Sequence, residues 1–64
     1  MGWCNMREFV EYAFYGDVVG QSVKMVEKAY KVYCKLFKCK EVDNIANRIC
    51  NEYDLYIEKG VFTK

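Results

Sequence analysis

The most reactive side chains in the sequence are four cysteines, Cys4, Cys34, Cys39 and Cys50, spaced C-x29-C-x4-C-x10-C. A thiolate can serve as a nucleophile, a metal ligand or half of a disulfide. Nucleophilic work needs a base nearby. The chain has no histidine, and its only hydroxylic residues besides tyrosine are Ser22 and Thr63. Zinc binding would need all four thiolates at an unusual spacing, with no C-x2-C pair to start from. Two readings remain. The cysteines are small apolar residues at helix flanks, reduced in a cytosol, or they form a disulfide framework. In the second case Cys39 is the most available partner, with Cys4 or Cys50 opposite. The carboxylate pairs Glu8/Glu11 and Glu52/Asp54 have the spacing of solvated faces, and no glycine-rich phosphate loop is present. These features predict no enzyme, no metal, no cofactor and no small-molecule substrate.

Charge is the next source of chemistry. The net charge is +1, but it is unevenly placed. Residues 24–40 hold six lysines and one glutamate, while both flanking segments are mildly acidic. Lys24, Lys28, Lys31, Lys35 and Lys38 recur at i, i+4, i+7, i+11 and i+14, one line along a helix, and Lys40 extends it. Such a line suits a phosphate backbone or an acidic protein face. It also suits an ordinary solvated helix face. It contains no arginine, the commoner choice for reading bases or phosphates. Nucleic acid is therefore the second choice of partner.

Helical periodicity positions these groups. The pattern predicts one domain, residues 1–64, with helices over about 6–15, 18–38 and 41–59. The fold class is all-α, a three-helix bundle with a long central second helix. In the first helix, Asn5 is a cap and Met6, Phe9, Val10, Ala13 and Phe14 form the buried stripe. The second helix centres its apolar arc on Val26, with Ser22 on the buried side, and Met25 and Val32 widening one flank. Val42, Ile45, Ala46, Ile49, Tyr53, Tyr56 and Ile57 give the third stripe. A short hairpin over 55–63, with Gly60 in the turn, competes with the end of that helix. A helix-turn-helix reading of Glu41–Tyr56 fails on its acidic, aromatic end, which repels phosphates.

The aromatic content is high, eleven residues in 64. So small a chain has a marginal core and cannot easily hide that much ring surface. The second half of the long helix is under-covered by the short first helix. Trp3, Tyr12, Tyr15, Val32, Tyr33, Leu36 and Phe37 are therefore the expected protein-binding residues, because tyrosine and tryptophan supply rigid contact area at low entropic cost.

These readings predict a small non-catalytic interaction module, an adaptor, regulator or inhibitor of a larger protein, of the kind viruses and mobile elements encode. Its partner is another protein or a second copy, as a homodimer. A nucleic-acid binder using the lysine row and a disulfide-stapled secreted toxin or effector are the alternatives. No basic segment followed by an apolar run marks a signal peptide, no apolar run approaches membrane-spanning length, and Met6 breaks the myristoylation pattern. A cytoplasmic location without membrane attachment is expected, with secretion second.

Overall fold

A computed structural model describes residues 5–64. Three helices, α1 (Met6–Phe14), α2 (Val23–Phe37) and α3 (Ile45–Tyr53), are followed by two short strands, β1 (Tyr56–Glu58) and β2 (Val61–Thr63). The described residues are mostly helical, with one two-stranded antiparallel sheet among them.

Helix α1 starts where the sequence predicts. The Asn5 side chain accepts a hydrogen bond from the Arg7 backbone N–H at 2.8 Å, and Glu8 lies in the first turn, where the helix dipole favours it. The helix ends because Tyr15 and Gly16 both take positive φ. Their N–H groups donate to the carbonyls of Glu11 and Val10, which would otherwise lack partners.

Helix α2 begins at Val23, five residues later than the periodicity predicts. The Asp17 carboxylate accepts from the Val19 N–H, closing a turn instead of a helix. Gly20 takes φ +89°, outside the helical region. The chain then runs beside the hairpin. Gly20 N–H donates to Phe62 at 2.8 Å, Phe62 N–H to Gln21 at 3.0 Å, and Val23 N–H to Gly60 at 2.8 Å. Ser22 bridges Val61. Residues 18–22 share apolar spacing with the helix, but the Gly20 N–H and the Gln21 carbonyl are taken by the hairpin, and the Gln21 N–H turns back to the Val18 carbonyl. Ser22 is exposed, not on a buried arc.

Helix α3 also begins late, at Ile45 instead of Glu41. Asn44 sits in the left-handed region (φ 57°, ψ 53°), so the preceding residues cannot continue a helix into α3. The helix stops at Tyr53, where Asp54 is left-handed and the Leu55 N–H closes onto Cys50. The expected helical run to residue 59 is thereby corrected: the hairpin forms instead. Burial explains the choice. Leu55 and Phe62 are buried in the hairpin arrangement, whereas Tyr56 and Ile57, inward on the helical reading, face solvent. The turn residues Lys59 and Gly60 both have positive φ, as a two-residue hairpin turn requires.

The core draws on every element but β1. It joins Phe9 and Val10 of α1, Val18, Val26, Tyr30, Tyr33 and Cys34 of α2 and its approach, Ile45, Ala46 and Ile49 of α3, then Leu55 and Phe62. Phe9, Phe62, Ile49, Val10, Val18 and Val26 are the largest fully buried side chains. Each contributes about 1.5–3 kcal/mol by leaving water. Among the described residues, apart from the tyrosines Tyr30 and Tyr33 and the Cys34 thiol, no polar or charged side chain is buried. No helix of these residues is long and apolar enough to cross a membrane.

Candidate functional site

Helices α1 and α2 meet through aromatic rings, and this contact determines which predicted binding residues reach the surface. Phe9, fully buried, packs against Tyr30 at 5.2 Å and Tyr33 at 5.3 Å between ring centroids. Tyr33 then stacks on Phe37, one turn later in α2, at 4.7 Å. Tyr12 of α1 closes the group, 5.6 Å from Tyr33 and edge-on to Phe37 at 5.3 Å. The rings form a ladder from the core to the surface in tilted and edge-to-face geometries, which suit their quadrupoles.

The ladder sorts the predicted residues. Tyr33 is buried, so its assignment to an exposed contact surface is corrected: Tyr12 and Phe37 cover it. Burial, with the Glu8 carboxylate a smaller contributor, raises its phenol pKa above the ordinary value. Tyr12, Tyr15, Val32, Leu36 and Phe37 are all more than half exposed. Tyr12 and Phe37 are in contact. Val32 and Leu36 lie one turn apart on α2, away from the core side. Trp3, and with it Cys4, lies outside the described residues. The tail does not fill the uncovered part of α2, because the hairpin engages the opposite end, at Ser22 and Val23.

Five exposed large apolar residues fall outside the expected surface, Val19, Met25, Val42, Tyr56 and Ile57, and of these Met25 belongs to the uncovered face of α2. Met25 is 58% exposed and shares the face of Val32 and Leu36. Its signal was in the spacing: positions 25, 29, 32 and 36 repeat at intervals of four, three and four.

The lysine row is real as a surface. Lys24, Lys28, Lys31 and Lys35 are exposed on one face of α2. Lys38 is exposed too, but it is the left-handed cap residue, so it leaves the line. The row faces solvent next to the exposed apolar residues, with no ring between its members for a base to stack on.

The cysteines divide. Cys39 is disulfide-bonded. Cys34, buried in α2, and Cys50, half-buried in α3, are free thiols. Of the two readings, the reduced one holds for Cys34 and Cys50, and Cys39 follows the disulfide one. Burial raises the Cys50 thiol pKa above its ordinary value. No group of three or more potential metal ligands occurs among the described residues.

A shallow opening of about 250 Å³ lies where the α2–α3 linker folds back on α2. The Glu27, Glu41 and Asp43 carboxylates and the Lys31 ammonium border it. These are solvated charges with no nucleophile among them. The opening has the chemistry of a surface dip, whereas the exposed face of α2 offers contiguous apolar area. No protein family, curated protein or solved structure matches the chain.

Proposed function

We propose that this chain is a non-catalytic protein-interaction module, a regulator, adaptor or inhibitor of a larger protein. The observation that carries the reading is the uncovered second half of α2. Val32, Leu36 and Phe37 are exposed there together with Tyr12 from α1, above a Tyr33 that is already packed. Leaving these side chains in water forfeits apolar burial that a partner would recover. Tyr12 and Phe37 pack on each other and on Tyr33, which restricts their rings and lessens the side-chain entropy lost on contact. On this reading α2 is the shared wall of a helical bundle, with one side given to the fold and the other to the partner.

Affinity capture with the immobilised chain tests the reading. The wild type retains a defined partner from a lysate of its source cells, and Phe37→Ala or Leu36→Asp releases it. Retention unchanged by both substitutions, or a strict monomer that retains nothing, overturns it.

A second reading draws support from Cys39. Cytosolic proteins rarely keep disulfides, and small secreted domains depend on them. The bond therefore favours a disulfide-stapled effector acting in an oxidising compartment over the cytoplasmic location expected from the sequence. The same surface serves either reading. Activity that survives only while Cys39 stays oxidised supports the stapled effector. Full activity in a reducing cytosol excludes it.

A further inference from the structure

The exposed face of α2 has the repeat of a helix-pairing seam. Met25, Ala29, Val32 and Leu36 follow one another at intervals of four, three and four residues, the spacing of the contact positions in a two-stranded coiled coil. Met25, Val32 and Leu36 are exposed and Ala29 is half-buried. On a helical projection the four occupy an arc of about 60°. The small Ala29 between larger neighbours leaves room for an incoming side chain.

The two edges of this seam differ. Val26 and Tyr33 border one edge, and both are buried in the fold. Lys28 and Lys35 border the other, each one residue before a seam position, with Lys24 behind them and Lys31 further round, at the opening bordered by Glu27, Glu41 and Asp43. A helix laid along the seam would therefore meet lysines along one flank. Positions flanking such a seam set partner choice by charge.

We propose that the occupant is an amphipathic helix of another protein, about three turns long, whose apolar stripe is bordered by glutamate or aspartate. This rests on the interaction-module reading and gives its partner a chemical class. A second copy of the chain is the weaker occupant. In an antiparallel self-pairing, Lys28 and Lys35 of one copy would face the same lysines of the other, with no carboxylate on that edge to compensate.

The test uses the full oxidised chain and two labelled synthetic peptides of three heptads, identical in their leucine seam. One carries glutamate at the flanking positions and the other lysine. Fluorescence anisotropy at low salt reads the affinity. The acidic peptide binds, and the lysine peptide binds about tenfold more weakly or worse. Lys28→Glu combined with Lys35→Glu reverses that order. Leu36→Asp abolishes binding of the acidic peptide while far-UV circular dichroism stays unchanged, because Leu36 is 62% exposed and outside the core. Equal affinity for the two peptides, no binding of the acidic one, or no effect of Leu36→Asp overturns the proposal. So does a dimer in sedimentation equilibrium that Leu36→Asp dissociates. If the acidic peptide fails while Phe37→Ala still releases a captured partner, the helical occupant is wrong and the interaction reading stands. If both fail, both fall.

Discussion

The Val42 backbone N–H donates a hydrogen bond to the Tyr30 hydroxyl at 3.1 Å. This bond joins α2 to the linker that leads into α3, and Tyr30 is otherwise buried beside Phe9. Removing the hydroxyl leaves the ring packing intact and the Val42 N–H without its acceptor. Tyr30→Phe should destabilise the fold by about 1 kcal/mol, the usual net value of one such bond. Urea unfolding at neutral pH measures it. The loss is kept small because Val42 is 40% exposed, so water can replace the hydroxyl. A change near zero would mean that the linker is not held through this contact.

Stability should fall on the alkaline side. Burial is the main cause that raises the phenol pKa values of Tyr30, Tyr33 and Tyr53 above 10.0, and that of the Cys50 thiol above 9.0. Arg7 and the Val42 N–H oppose the rise at Tyr53 and Tyr30 without reversing it. The unfolded chain therefore gives up these protons first as pH rises. Their contribution to stability is complete below about pH 9 and is lost as pH climbs through the raised folded values. Urea midpoints measured from pH 7 upward should hold steady and then drop. Tyr33→Phe keeps the ring and removes one titrating group, so it should flatten the drop with about 0.5 kcal/mol or less of change at pH 7. An identical slope in that variant would sink the assignment.

Reduction should cost more than any surface substitution. Cys39 is disulfide-bonded directly after α2, in a chain too small for a generous core. Loss of a native disulfide from so small a domain typically costs about 2–5 kcal/mol. A reductant should lower Tm by about 8 °C or more, on the scale of about 4–8 °C per kcal/mol for this size. Mass mapping after alkylation checks the assignment. In the unfolded, unreduced chain the reagent labels Cys34 and Cys50 and spares Cys39, and reduction exposes it. In the native chain Cys34 should react last, being 2% exposed. Labelling of Cys39 without reductant would contradict the bond.

Legibility in the sequence followed the range of the interactions that decide each element. Helix α1 was legible from cap to stop, because Asn5, its apolar stripe and Gly16 all act within a turn or two. The start of α2 was not. Val18 and Val19 fit the helical period, and what removes them from the helix is pairing of Gly20, Gln21 and Val23 with a hairpin some 40 residues away in the chain. The end of α3 failed for the same reason. Tyr56 and Ile57 continue the stripe in spacing, but burial of Phe62 settles the competition. At the candidate site, the exposure of Tyr12, Val32, Leu36 and Phe37 could be read from helix lengths. The burial of Tyr33 could not, since it depends on the packing that brings Tyr12 of α1 over it, beside the Phe37 one turn on in α2.

The hairpin turn offers a stabilising substitution. Lys59 has φ 55° and Gly60 φ 77°. Two successive positive values fit the tight two-residue turn that Asn-Gly prefers. A lysine in the left-handed region pays about 1 kcal/mol or more that asparagine largely avoids. Lys59→Asn should stabilise the chain by about 0.5–1 kcal/mol and raise Tm by a few degrees. The gain should reach the whole fold, because the hairpin carries Phe62 into the core and holds the approach to α2. Lys59→Gln removes the same charge without relieving the backbone, so it should leave Tm nearly unchanged. Gly60→Ala should go the other way. No atom lies within 4 Å of where its Cβ would stand, so any loss comes from the positive φ alone. Thermal unfolding of the three variants should rank them asparagine, glutamine, then alanine. If asparagine and glutamine proved equal, the turn strain at Lys59 would be ruled out as a determinant of stability.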